Sequence, residues 1–335
     1  MEPLTVEQKF REASIFYWVN ELPISLYVVI SKIWRVCTFL PLIITYLLGS
    51  NAFATECPLP LSIQNHTETV WPYLSNIEIT GIFDEPVSLR SGQYEGLPFV
   101  PNGHARPQLR LWPELMVSAD LDGQGGDEKI GLISETSGGS GERVYLIVAM
   151  EEAGQYRALP ASLLGDRVKV RSMEVRDGRI LVRIIEAGPD QPMCCGTQLS
   201  QLAWQVENGR LVLKDRLVQG EVSLEILQNK QWYLLDRPGD RANAVHPSCT
   251  RLRILANQLV LNVNGQSYSA AVNEISPGHI VLSDAALDLN NDDTPYVRLV
   301  SDLMTVSQYT FRAGRLLLSG KVKDRRMNFE FVASP

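Results

Sequence analysis

"RVKVRSMEVRDGRILVRIIEA", Arg167 to Ala187, alternates apolar and polar residues on either side of Asp177-Gly178. A period of two puts every second side chain on one face of a strand. An Asp-Gly pair supplies the left-handed residues that a two-residue hairpin needs. The stretch therefore reads as two antiparallel strands with one face buried. The same device recurs along the chain. "KIGLISET" and "RVYLIVAM" flank "SGGSGE", and "LAWQVE" and "RLVLKD" flank Asn208-Gly209. "QLVLNV" and "SYSAAV" flank Asn264-Gly265, "QYTF" and "RLLLSG" flank Ala313-Gly314, and "MNFEFV" supplies a last strand. Short alternating runs divided by turn pairs predict a mainly β chain of antiparallel sheets.

Helical periodicity is scarce. The exception is "TPYVRLVSDLM", where Thr294 can cap, Pro295 suits the first turn, and Val297, Val300, Leu303 and Met304 share a face. Asp292 and Asp293 precede it, where the helix dipole favours negative charge. "KDRLVQGE", Lys214 to Glu221, is polar and lacks alternation. It marks the expected break between two antiparallel β-rich domains, residues 76–215 and 222–335, the second with one short helix. Residues 55–75 read as a linker.

With 335 residues, 45% of them hydrophobic and 21% charged, the chain has ordinary globular composition and room for two modest domains. A net charge of -7 without any Lys/Arg cluster argues against a nucleic-acid partner, because phosphate contacts demand a basic face.

Residues 1–54 read as an N-terminal extension and a secretory signal. Lys32 and Arg35 precede "VCTFLPLIITYLL", Val36 to Leu48, and "GSNAFA" follows. That apolar run of about 13 residues is short of the roughly 20 that span a bilayer core, and it contains Pro41. Ala52 and Ala54 fit the small-residue rule of signal peptidase, so cleavage is expected after Ala54. Membrane contact would then come only through this segment, if it stayed uncleaved. Residues 1–31 are long and acidic for the start of a signal, which leaves a start near Val28 or Val29, or a genuine extension. Cys57 lacks the Leu-x-(Gly/Ala) run of a lipid-attachment box, so the mature chain reads as periplasmic or secreted.

That mature chain holds Cys57, Cys194, Cys195 and Cys249. An even count in an oxidising compartment points to two disulfides, with three connectivities open. The adjacent pair could bridge to each other, though at a short Cα separation. Two long-range bridges, from the pair to Cys57 and Cys249, would instead clamp the N-terminal strand and the second domain. No Cys/His spacing fits tetrahedral zinc.

In the second half come "LQNKQW" with Trp232, then "LRILANQLVLNVNGQSYSAAV", the helix "YVRLVSDLMTV" and the closing "SQYTFRAGRLLLSGKVKDRRMNFEF". This order, from Leu224 to Phe331, resembles the META domain of the heat-shock protein HslJ type. The family usually carries Gly-Cys-Asn around the middle strand; here "LNVNG" has Asn262 and no cysteine. Upstream, "DLDGQGGDE", "SGGSGERVYL", "LLGDRVKVRS" and "MCCGTQ" resemble a module that precedes META domains in envelope proteins. The resemblance implies an envelope location and a link to stress tolerance, and no defined active site.

One stretch suggests chemistry. In "DLDGQGGDEKIG", Asp120, Asp122, Gln124 and Glu128 stand at positions 1, 3, 5 and 9 of the twelve-residue calcium template, with Gly125 at the sharp turn. Gln124 replaces a carboxylate, and Gly131 stands where a bidentate Glu belongs. Such a shell would bind calcium weakly, on the order of 10⁻⁴–10⁻³ M. The alternative is an Asp/Gly turn whose side chains bond their own backbone. "SGGSGE" lacks the Lys-Ser/Thr of a phosphate loop and reads as a flexible hairpin tip. His66, His104, His246 and His279 are scattered and form no ligand or triad pattern, and Trp112, Trp204 and Trp232 read as core. "LDLNNDD", Leu287 to Asp293, reads as a solvated loop.

Three function classes follow. The first is a non-catalytic envelope protein that binds an unidentified envelope protein or ligand, or protects under stress, without a resident cofactor. The second is a calcium-stabilised extracellular interaction module. The third is a hydrolase, for which no residue supplies a nucleophile.

Overall fold

The computed structural model describes residues 61–236, 250–263, 265–283, 295–322 and 325–333. Among the described residues helix α1 (Leu61–Leu74) comes first, followed by a small hairpin of β1 (Glu78–Ile79) and β2 (Val87–Ser88). The next sheet runs in the order β3 (Gln93–Glu95), β4 (Gln108–Ala119), β5 (Glu128–Thr136), β6 (Arg143–Glu152) and β7 (Gln155–Ala158). β8 (Ser162–Asp166) also pairs with β6. A four-stranded sheet follows, made of β9 (Lys169–Arg176), β10 (Arg179–Glu186), β11 (Gln198–Glu207) and β12 (Arg210–Glu221).

The rest is a closed barrel of eight antiparallel strands. In order these are β13 (Trp232–Asp236), β14 (Thr250–Leu255), β15 (Gln258–Val263), β16 (Gln266–Ser276), β17 (His279–Ser283), β18 (Val306–Arg312), β19 (Arg315–Val322) and β20 (Arg325–Ala333). β20 returns to pair with β13, so the barrel has no free edge. Helix α2 (Pro295–Leu303) contributes Leu299, Val300 and Leu303 to the barrel core. The chain is thus mainly β and antiparallel, as its alternation predicts. Among the described residues, no helix is long and apolar enough to cross a membrane.

Three turn pairs behave as their chemistry requires, and Asn264 of a fourth lies outside the described residues. Asp177-Gly178, Asn208-Gly209 and Ala313-Gly314 all have positive φ at both positions, the backbone of a type I′ hairpin. Two expectations are corrected. Leu61–Leu74, inside the supposed linker, is helical, and Val70 and Leu74 are fully buried against β4 and β5. Pro72 inside this helix and the polar run before it obscure the helical pattern. Lys214–Glu221, read as a break, is the outer half of β12. It lies exposed along its length, so nothing selects apolar residues on either face.

The described residues form one compact unit, and its cores interlock. Ile185 and Leu199, from β10 and β11, belong to the barrel core. In return, Ala313 at the β18–β19 turn sits in the core of the preceding sheets. The Gly314 N–H donates to the Val170 carbonyl at 2.9 Å, fixing that turn in place.

Trp232 is 1% exposed, and its indole N–H donates to the Leu227 carbonyl at 3.1 Å. Trp232→Ala is expected to cost about 3–5 kcal/mol, the range for emptying a large aromatic site. Urea unfolding followed by tryptophan-independent far-UV signal measures it.

Candidate functional site

The Asp120 loop joins β4 to β5, whose pairing ends at Ala119 opposite Glu128. Gly123 and Gly125 take φ of 75° and 89°, conformations that side chains other than glycine rarely adopt. These reversals fold the acidic residues inward. Asp120 accepts the Gly123 N–H at 2.7 Å and the Gly125 N–H at 3.2 Å. Asp122 accepts the Gln124 N–H at 2.9 Å. Glu128 accepts the Leu121 N–H at 2.6 Å, and Leu121 is itself anchored in the core.

The result is a cluster in which Asp120, Asp122 and Glu128 each offer a carboxylate oxygen within 4.8 Å of the others. Asp120 and Asp122 are exposed and Glu128 is buried. Desolvation pushes the Glu128 carboxyl above its usual range; the Leu121 N–H opposes this, and the charges of Asp122 and Asp120 add to it. An all-oxygen donor set of this kind suits a hard cation such as calcium, not zinc or copper. The residues fit three ligands of such a shell. Gln124 lies at the exposed tip of the loop.

Position 12 of the template has a structural explanation. Gly131 lies in β5 beneath α1, where an added Cβ would come within 2.8 Å of Leu74 Cδ1. A glutamate there would enter the apolar core instead of reaching the loop. The base of the loop carries a set of residues that spacing did not reveal. Lys129 donates to Ser118 Oγ at 2.7 Å, and Ser118 donates to Asp127 at 3.1 Å. The Lys129 ammonium also lies 5.4 and 5.5 Å from the ring centres of Tyr73 and Tyr156. A Lys beside the Asp-Glu pair was the available signal; its aromatic partners come from α1 and β7, far away in sequence.

The other candidates are dispersed. Cys194 and Cys195 pair with each other, their Cα atoms 3.8 Å apart, so long-range bridging of this pair is not the arrangement found. The loop that joins β10 to β11 carries the two residues as sequence neighbours. Cys57, Cys249, His246, Thr294 and the acidic run up to Asp293 lie outside the described residues. The disulfide borders a cavity of about 340 Å³ that Lys169, His279 and Tyr309 also line. His279 contacts the Pro277 carbonyl and Gln308, both at 3.2 Å, and no second histidine joins it among the described residues. The "SGGSGE" tip is tied down, because Arg167 Nε donates to the Ser140 carbonyl at 3.1 Å.

No protein-family model matches the chain. No curated protein matches it either.

The buried Glu128 charge leads to a paired expectation. Glu128→Gln should raise the melting temperature in chelator, because it removes a desolvated charge repelled by two neighbours. The same variant should lose any rise in melting temperature that millimolar calcium gives the parent, as differential scanning fluorimetry would measure.

Lys169 supplies a second. Burial lowers its amino group below the ordinary lysine range, and no ionic partner faces it among the described residues. Because the folded value lies below the unfolded one, the folded state holds the proton less well, and stability is lost at pH values where the amine is charged. Lys169→Met should therefore raise the urea midpoint at pH 7, with a smaller difference as pH climbs toward 10.5.

Proposed function

We propose that this chain is an exported, non-catalytic bacterial envelope protein in which a META-like barrel is joined to a β-rich module with a binding or stress-protective role. The observation that carries the reading is the barrel itself. It runs from Trp232 to Ala333, overlapping the Leu224–Phe331 segment whose order of elements resembles the META domain, and its interior is filled by side chains such as Trp232, Leu316, Phe329 and Phe331. A small barrel packed in this way acts as a scaffold whose outer surface and loops do the binding. Support for export comes from the Lys32/Arg35, apolar and Ala52-x-Ala54 succession.

A second reading is favoured by one specific observation, the convergence of Asp120, Asp122 and Glu128. In that reading calcium braces the β4–β5 loop and drives no reaction.

Fractionation of cells expressing the full chain with a C-terminal tag tests the proposal. Recovery from the periplasm with Thr55 as the new N-terminus is expected. Recovery from the cytoplasm with residues 1–54 intact would overturn export.

A further inference from the structure

We infer that the cleft between the β3–β4–β5 face and the β18–β20 wall of the barrel binds an acidic oligosaccharide. The inference goes beyond the proposed function and stands on the cleft alone, wherever the protein resides.

The floor of the cleft comes from strand alternation. Along β4, Leu109 and Leu111 enter the core beneath α1, which leaves Gln108, Arg110 and Trp112 on the opposite face. The register sets polar neighbours beside them. Arg110 stands between Gln93 of β3 and Ser134 of β5, and Gln108 between Glu95 and Thr136. This hydrogen-bonding face is not an open surface. It floors a cleft of about 1220 Å³, whose far wall carries Arg312, Arg315 and Glu330 from the barrel. That is more than the roughly 300–1,000 Å³ typical of sites for one small molecule.

A break in β4 shapes the near wall. Pairing with β5 lapses between Leu111 and Met116, so Trp112-Pro113-Glu114-Leu115 bulges out opposite Leu132 alone. Pro113 has no N–H to give the ladder, which is why the lapse falls there. Irregularities of this kind re-aim side chains beside binding sites. Here Trp112 is held by Ser134 Oγ at 3.2 Å and Glu114 by Arg315 at 3.4 Å.

The charges select the ligand. Arg315 is committed to Glu114 and Glu330, and Glu95 to Arg106. Arg90, Arg110 and Arg312 form no ion pair among the described residues, and Glu142 is the lining carboxylate in the same condition. Counted with their partners, five arginines meet four glutamates, so the excess is one positive charge, and selection falls to Arg90, Arg110 and Arg312, whose guanidinium forks match carboxylate oxygens. A peptide would seek a long free strand edge, but β4 is paired on both sides at Gln108–Arg110, and the edge strand β3 is three residues long with Gln93 already bonded to Arg90. What remains on offer is amides, hydroxyls and guanidiniums, which complement sugar hydroxyls and uronic carboxylates.

Isothermal titration of the full chain tests this in calcium-free, low-salt buffer, so that the Asp120 loop plays no part. The probes are trigalacturonate, neutral maltotriose and triglutamate. Trigalacturonate is expected to bind at least tenfold more tightly than either of the others. Arg110→Gln and Arg312→Gln, both at exposed positions, are each expected to weaken it about tenfold, the scale of a lost charge-assisted hydrogen bond. Unchanged melting temperatures would show that these variants remain folded. The inference is overturned by no binding of trigalacturonate at millimolar concentration, by affinity that neither substitution changes, or by equal or tighter binding of maltotriose. Tighter binding of triglutamate would also overturn it and would identify an acidic-peptide site.

Discussion

Strand β5 is the constraint on which the first half of the molecule depends. From Glu128 to Glu135 every residue is buried, because both faces of the strand are covered. Ile133 and the bare backbone of Gly131 meet the core beneath α1, while Ile130 and Leu132 face the second core toward β9–β12. Each such side chain contributes about 1.5–3 kcal/mol on burial, so the register of β5 is not free to slip. A slip of one residue would exchange the two faces. Both sites take their geometry from this strand. Glu128 at its start is delivered to the acidic loop, and Ser134 and Thr136 near its end are delivered to the cleft.

Carboxylates placed inside the fold differ in how fully they are answered. Glu274 receives the Leu224 N–H at 2.8 Å, the Gly278 N–H at 3.1 Å and the Tyr309 hydroxyl at 2.6 Å. It joins the 3-10 turn at Leu224–Leu227, the β16–β17 turn and β18 in one knot. Glu135 receives Arg143 at 2.6 Å and Ser137 at 2.5 Å. Both charges are balanced by donors and serve architecture. Glu128 receives one side of such support, the Leu121 N–H, and faces two further carboxylates. An approaching cation would supply what the protein leaves out, and this contrast separates a candidate ligand from its structural counterparts.

Local chemistry made much of this fold legible. The hairpins were readable because period two and a left-handed turn pair are properties of adjacent residues. Helix α2 was readable because Val300 and Leu303 recur on one face. Helix α1 was not, since Pro72 and its polar first turns carry no apolar period and its stability comes from Val70 and Leu74 meeting β4 and β5. The outer half of β12 was missed for the opposite reason: it pairs with β11 yet buries nothing, so its sequence is unconstrained. Asp120, Asp122 and Glu128 could be picked out by spacing, whereas the reason for glycine at position 131 lies in a helix more than fifty positions upstream. The cleft was illegible because Arg110 and Arg312 meet only through tertiary folding.

The β18–β19 turn has a consequence for how the molecule could have been assembled or taken apart. Ala313 plugs a core to which the barrel otherwise does not belong, and Ile185 and Leu199 return the exchange. Modules joined by a tether can be shuffled, because each keeps its interior when separated. Here a barrel excised after Glu221 would withdraw the plug from its neighbour and lose two apolar side chains of its own. Separating the halves would therefore strip each of part of its own interior.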